Sequence, residues 1–470
     1  MSVQNTHYGA EKIKELLSEC KSIFFIGVGG VNMSSLALIS LKRGYCVGGS
    51  DRNQTALTES LAANGINMFY SHDRANLDGY DAVVYTVAIS EDNPEYVRAI
   101  EQGIPCISRA DFMGYLMMGY NRRIGICGMH GKSTCTSMCA SVFMNADADP
   151  TVLSGAALKS MGGAYRIGEN NNFIFEACEY MDSFLDFYPT VAVILNVEMD
   201  HVDYFKSMEH IYESFGRFAD IAASANGCVV YNCDDDNVKR SLQSYSGRSV
   251  GFSLKDENAS FFAKNISYNS GCAEFDVLLD KEEFCHVRLS VTGEHNIYNA
   301  LATCAAAYLC GIGGEKISTG LAEFTGADRR MEYKGNWLGA RVYDDYGHHP
   351  TEIKRTLEGA AAMGFKRTIC VFQPHTFSRT KGLFDDLVSS FSDVDKAIIA
   401  DIYAAREKDT GEISAKMVAD AVPNAEYVGN MEEIAEYLKR ELKDGDLLVV
   451  MGAGDIYKLF GYMSFDCEEF

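Results

Sequence analysis

Arg123-Ile124-Gly125-Ile126-Cys127-Gly128-Met129-His130-Gly131-Lys132-Ser133-Thr134 decides how this chain is read. An apolar run enters a glycine turn, then Gly-Lys-Ser, then a helix-compatible segment through Val142. A strand feeding a glycine loop feeding a helix is a phosphate cradle. Backbone N–H groups point at the anion, and the helix N-terminus favours negative charge. Lys132 would reach the outer phosphates and the Ser133 hydroxyl would ligate Mg²⁺. The loop is shorter than G-x-x-x-x-G-K-[ST], because Ile126 stands where the first glycine belongs. An ordinary strand–turn–helix is the competing reading.

The totals bound the rest. A chain of 470 residues exceeds one hydrophobic core, so about three domains are expected. Net charge is −23, which argues against bulk nucleic-acid or anionic-membrane partners. An anionic ligand would need locally placed Arg, Lys, helix termini or Mg²⁺. Fifteen cysteines lie scattered without a C-x-x-C pair, several inside apolar segments (Cys127, Cys304, Cys370). They read as reduced thiols filling a core, not as a disulfide framework or zinc site. No signal peptide is expected, and no apolar run approaches the ~20 residues that span a bilayer. A cytoplasmic protein is expected.

Upstream of the loop, Ser22–Val31 carries Gly27, Gly29 and Gly30 before a helix from about Asn32 to Arg43. A second strand, Tyr45–Gly49, ends at Asp51. This βαβ opening fits a pyrophosphate turn with Asp51 near a ribose, as in NAD-binding folds, or a bland doubly wound turn. Asn32 replaces the third glycine of G-x-G-x-x-G. Further strands are expected at Ala82–Val87 and Ile104–Ser108, with a helix beginning at Asn93-Pro94-Glu95. The first domain closes near residue 119.

Downstream, strands Phe173–Phe175 and Val191–Leu195 end at Glu176 and at Asn196-Val197-Glu198-Met199-Asp200-His201. In a parallel sheet, strand carboxyl ends converge on the ligand crevice. Glu176 and His201 are therefore expected near the loop, where hydroxyl, carboxylate and imidazole suit Mg²⁺ or Mn²⁺ with ATP. Residues 226–290 read as an antiparallel addition, and Gly293-Glu294-His295-Asn296 opens an Ala-rich helix from Ile297 to Leu309. The composition changes again around Phe324–Arg330. Strands are then expected at Ala340–Asp344, Thr368–Phe372, Lys396–Ala400 and Leu447–Met451. Helices are expected from Pro350, near Gly382–Phe391, at 413–421 and at 431–442. Three strand ends carry functional types: Tyr346 and His348 on the first, His375 and Arg379 on the second, Asp401 and Tyr403 on the third.

These motifs, in this order, resemble the Mur ligase family. They are Gly128–Thr134, Glu176-Ala177-Cys178-Glu179, Asn196–His201, Gly293–Asn296, Arg329-Arg330, Asp344–Pro350, Phe372-Gln373-Pro374-His375 and Met451-Gly452-Ala453-Gly454-Asp455. The resemblance runs from about residue 22 to 458. It implies an α/β protein of three domains: Rossmann-like (1–119, UDP-sugar), P-loop ATPase-like (120–326, ATP) and Rossmann-like (327–470, amino acid). Tyr346-Gly347 before His348-His349-Pro350 points, within the family, to joining L-alanine to UDP-N-acetylmuramate with ATP. The alternatives are a peptide-recycling ligase of the same family and a nucleotide-binding subunit without activity. A dehydrogenase would leave residues 125–134 unexplained.

The resemblance also implies roles by position. Gly27, Gly29, Gly30, Met33, Ser34 and Asp51 would meet the UDP-sugar, which displaces the NAD reading. Gly128, Met129, His130, Gly131, Lys132, Ser133, Thr134, His295, Asn296 and Arg330 would meet ATP. Ser133, Glu176 and His201 would hold the metal. Tyr346, His348, His375 and Arg379 would form the amino-acid site, and Lys132, Arg330, His348 and Arg379 would carry the chemistry. Departures from the family pattern are Cys178 for Asp, Tyr180 for Ser, Ser133 and Met129 for Thr, Val87 for Ser and Ser35 for Gly.

Overall fold

The computed structural model describes residues 3–168, 171–201, 204–269, 271–405 and 407–466. The chain divides into two compact units: Met1–Val197 with Glu209–Gly251 and Ala305–Gly313, and Glu198–Met208 with Phe252–Cys304 and Gly314–Phe470.

The first unit opens with five parallel strands. They are β1 (Ser22–Ile26), β2 (Cys46–Ser50), β3 (Asn67–Phe69), β4 (Ala82–Tyr85) and β5 (Cys106–Ser108), in the order β3-β2-β1-β4-β5. That is a doubly wound sheet whose order reverses beside β1, so the glycine turn after β1 sits at the switch point. Helices Val31–Lys42 and Pro94–Gln102 fall where expected, and Asn93 caps the second by accepting from Glu95 N and Tyr96 N. β3 was not expected. It is three residues long and exposed or half-buried, too short for a period to register.

The same unit carries β6 (Arg122–Cys127), β7 (Thr151–Leu158), β8 (Gly163–Arg166), β9 (Asn172–Glu176), β10 (Val191–Ile194) and β11 (Cys228–Asn232). Their order is β11-β10-β6-β9-β7-β8, parallel except for β8. The register pairs Ile126 with Glu176 and Cys127 with Ile194. The expectation of an antiparallel addition beginning at residue 226 is corrected here. Cys228-Val229-Val230 is a buried apolar run, the mark of a parallel strand, and it pairs parallel to β10. Asp235 then caps a helix, Asp236–Ser241.

In the second unit, β13 (Phe261–Asn269), β14 (Cys272–Leu279) and β15 (Glu282–Thr292) do form an antiparallel meander. β12 (Arg248–Ser253) contributes Phe252 and Ser253, which pair parallel to β13. The helix His295–Leu309 starts after Gly293. The last sheet holds β16 (Glu332–Trp337), β17 (Ala340–Asp345), β18 (Arg367–Phe372), β19 (Lys396–Ile399), β20 (Ala425–Tyr427) and β21 (Asp446–Met451). Its order is β16-β17-β21-β18-β19-β20, parallel apart from β16.

Alternation along these strands feeds two cores. Cys370, Phe372, Leu447, Val449 and Met451 point to one face, and Ile369, Val371, Leu448 and Val450 to the other. The single helix expected near Gly382–Phe391 is two short ones, Phe377–Gly382 and Phe384–Ser389, broken at Leu383. Thr376 starts the first by accepting from Arg379 N. Among the described residues, no helix is long and apolar enough to cross a membrane.

Candidate active site

In the first unit the parallel register pairs Ile126 with Glu176 and Cys127 with Ile194, so β6, β9 and β10 end together at one carboxyl edge, about 4.8 Å from strand to strand. The loop leaves β6 here. Gly128 has φ +135°, and a Cβ on it would lie 3.1 Å from Leu195 Cβ and 3.2 Å from Asn196 N and O. Gly131 has φ +83° and caps the helix Lys132–Asn145, so the chain turns into the helix at no steric cost.

Asn196 holds the loop's shape. Its Oδ1 accepts from His130 N at 2.9 Å, and its Nδ2 donates to His130 O at 2.9 Å. The amide thus mimics a strand partner for one loop residue. The Lys132 ammonium folds against its own loop. It donates to Gly128 O at 2.5 Å, Met129 O at 3.2 Å and the two Glu179 oxygens at 3.1 and 3.0 Å. Burial alone would lower its pKa, but Glu179, with Cys178 and Glu176, holds it above the ordinary lysine value. Lys132 is charged at any physiological pH. Ser133 is buried in the first turn, and Glu176 accepts from Ser154 Oγ at 3.3 Å and from Gly155 N. A hydroxyl and a carboxylate are hard oxygen donors of the kind Mg²⁺ takes. Thr134 follows within the same first turn.

At the glycine turn after β1, Gly27 N and Val28 N donate to Ser50 O at 2.8 and 3.0 Å, and Gly30 caps the next helix. Asp51 is part of the turn itself: Oδ2 accepts from Gly29 N at 3.0 Å and Oδ1 from Asn53 N at 3.0 Å. Met33 is buried. Ser34 donates its N–H to Gly30 O and its hydroxyl to Val31 O, both at 2.8 Å.

The second unit gathers another set. His348, His375 and Arg379 line one pocket with Pro350, Phe372 and Pro374. His348 Nδ1 lies 3.2 Å from Tyr346 O, so Nδ1 carries the proton and Nε2 keeps its lone pair. Burial, opposed by Glu352, takes His348 down to about 4. Arg379 Nη1 donates to His375 Nδ1 at 3.2 Å, and Nη2 pairs with Asp200 at 3.1 Å. His375 is likewise lowered, by burial and then Arg379. Aromatic contacts link Tyr346 to His348, His348 to His375 and His375 to Tyr403, with centroids 5.6, 5.6 and 5.7 Å apart.

Arg330 lies over the Tyr346 ring at 5.4 Å, and its Nη1 is 3.5 Å from Glu352 Oε1. His295 is nearby, driven to about 4 by burial and by the charges of Arg355 and Arg330. Asn296 donates to Thr292 O at 2.8 Å and accepts from Asn299 Nδ2 at 3.0 Å. His201 belongs to this unit, at φ +49°, with its N–H on Asp200 Oδ1 at 2.6 Å. The sequence reading missed Glu179, Asn196, Asp200 and Glu352 as site members. Glu352 had a signal: His349-Pro350-Thr351-Glu352 forms a capping box, and such boxes place a glutamate at the third helical position.

Glu179 is almost fully buried, so removing its partner should be costly. Lys132→Met alone should destabilise by about 3–5 kcal/mol, because it leaves a buried charge uncompensated. Lys132→Met with Glu179→Gln should recover most of that loss. Urea unfolding of the two variants checks this, and equal midpoints would contradict it.

Comparison with known proteins finds three family models along the chain. Residues 22–121 match the family model described as Mur ligase family, catalytic domain. Residues 126–307 match the Mur ligase middle domain, and residues 329–454 the Mur ligase glutamate ligase domain. A UDP-N-acetylmuramate–L-alanine ligase of Acetivibrio thermocellus is 45% identical, over 93% of this chain and 94% of its own length. One of Clostridium novyi is 44% identical, over 93% and 96%. The solved UDP-N-acetylmuramate-alanine ligase of Thermotoga maritima is 26% identical with TM-score 0.77, covering 94% of this chain and 98% of that one. The chain belongs to the Mur ligase family.

Proposed function

We propose that this protein joins L-alanine to the carboxylate of UDP-N-acetylmuramate, with cleavage of ATP to ADP and phosphate, in cytoplasmic peptidoglycan precursor synthesis. The observation that carries the reading is the 45% identity to a UDP-N-acetylmuramate–L-alanine ligase across nearly the whole of both chains. The phosphate loop built around Lys132 supports it. Residues 1–119 would hold the nucleotide sugar, 120–326 ATP and 327–470 the amino acid.

A carboxylate resists attack by an amine, because the reaction would have to expel oxide. Transfer of the ATP γ-phosphate to that oxygen makes phosphate the leaving group. The alanine amine then adds to the acyl-phosphate carbonyl, and collapse of the tetrahedral intermediate releases phosphate. The first step brings two anions together. Lys132, permanently charged, and Arg330 would offset the charge growing on the transferred phosphoryl group. Mg²⁺ or Mn²⁺, when bound by Ser133, Glu176 and His201, would supply further neutralisation of the phosphates. His295 and Asn296 would contact the nucleotide.

Tyr346, His348, His375 and Arg379 would seat alanine. The fork of Arg379 already serves Asp200 and His375, which fixes its plane for a substrate carboxylate. His348 is neutral at pH 7 and presents the Nε2 lone pair, so it would orient the amine and accept its proton as the bond forms.

Phosphate release tests the function. Release should require ATP, a divalent ion, UDP-N-acetylmuramate and L-alanine together. Release with a muropeptide-type tripeptide but not with L-alanine would overturn the donor. No release with any donor, despite ATP binding, would overturn the enzyme reading. His348 allows a second expectation. Its pKa of about 4 leaves it uncharged above pH 5, so it puts no acid limb near 6.5 into the kcat/KM profile. His348→Asn should therefore slow turnover while leaving the profile between pH 5.5 and 8 unshifted. An acid limb near 6.5 that vanishes in the variant would contradict this.

A further inference from the structure

Arg109 begins the helix Arg109–Met117, directly after β5, and is half-buried. Among the described residues it makes no hydrogen bond and no ion pair. A guanidinium in that condition is unusual, because its five donors are expensive to leave unmatched. The helix presses on the segment Tyr180–Asp186 so closely that a Cβ on Gly114 would stand 2.0 Å from Asp186 O. Asp186 is an acid whose charge acts on Arg109; its Oδ1 accepts from His7 Nδ1 at 2.7 Å, while its buried Oδ2 has no hydrogen-bond partner among the described residues. Burial raises that carboxyl to about 6, against the pull of His7. Asp111, two residues along, accepts from Thr6 Oγ1, Tyr8 N and Gly9 N at 2.7, 2.5 and 3.0 Å. The other near neighbour is the Cys178 thiol.

Cys178 neighbours two cations at once, Lys132 of the phosphate loop and Arg109. Lys132 is paired with Glu179, while Arg109 is the cation left with donors to offer. The sheet order sets the distance from the glycine turn. β5 lies two strands beyond β1, about 10 Å at the usual strand spacing. A diphosphate on the glycine turn would thus leave the far side of its sugar to meet Arg109.

We propose that Arg109 binds the lactyl carboxylate of the nucleotide-sugar acceptor and holds it toward the phosphate loop, so that this residue selects acceptors that carry a carboxylate. The assignment rests on the nucleotide-sugar reading above. A planar guanidinium matches a carboxylate in two parallel hydrogen bonds, which would fix the attacking oxygen as well as its charge. Discrimination then comes from the pairing itself: an acceptor without the carboxylate gains nothing from Arg109.

The test is equilibrium binding of UDP-N-acetylmuramate, of UDP-N-acetylglucosamine (the same sugar without the lactyl carboxylate) and of ADP. Each would be titrated into the wild-type chain, Arg109→Gln and Arg109→Lys. Arg109→Gln should weaken UDP-N-acetylmuramate by about 10- to 100-fold and leave the other two ligands unchanged. Arg109→Lys should recover part of the loss, and unchanged ADP binding certifies that the loop is intact. Equal weakening of both sugars would assign Arg109 to the diphosphate and overturn the proposal, as would no weakening of either. Wild-type protein that binds both sugars equally would overturn it without any variant. Wild-type protein that binds neither would remove the nucleotide-sugar reading, and the proposal with it.

Discussion

The parallel pairing of β6 with β9 and β10 is the constraint on which the first unit's site depends. It sets the phosphate loop, Glu176 and Asn196 side by side on one edge, although 69 positions separate Cys127 from Asn196. Asn196 then fixes the loop at His130, and the fixed loop with Glu179 holds the Lys132 ammonium. An ammonium ion loses several kcal/mol of hydration on burial. Two carbonyls and a bidentate carboxylate offset that loss, and the group stays charged. Preorganised charge at this position is the electrostatic term that phosphoryl transfer requires.

The second unit uses a different device. Its site is a row of rings, Tyr346, His348, His375 and Tyr403, with arginines against it at Tyr346 and His375. The rows begin at the carboxyl ends of β17, β18 and β19, which the sheet register brings to one edge. Burial of the imidazoles keeps them neutral, and each ring is oriented by one fixed hydrogen bond at Nδ1. Neutral, oriented imidazoles suit the positioning of an amine better than titration around pH 7.

Much of this was legible in the sequence. The phosphate loop, the doubly wound opening and the motif-bearing strand ends could be placed because glycine, Gly-Lys-Ser and apolar runs carry local signals. Glu176 next to the loop followed from the parallel-sheet rule alone. What the sequence withheld depended on long-range pairing. Nothing local marks Arg109 as unpaired; that emerges only in the fold, where Asp111 and one oxygen of Asp186 are engaged by the segment Thr6–Gly9. That the Asp51 carboxylate also builds the glycine turn was not legible, because Gly29 N lies within reach only once β1 and β2 are paired. The strand β3 and the break at Leu383 escaped because three residues and one residue, respectively, are too few to show a period.

The central claim is that the acceptor carboxylate is phosphorylated by ATP before the amine attacks. The most direct measurement is transfer of label from UDP-N-acetylmuramate carrying ¹⁸O in its lactyl carboxylate, read by mass spectrometry of the products. The account predicts one ¹⁸O atom in the released inorganic phosphate for each amide bond formed, and none in ADP. Label appearing in AMP, or amide formation that leaves the phosphate unlabelled, would contradict it.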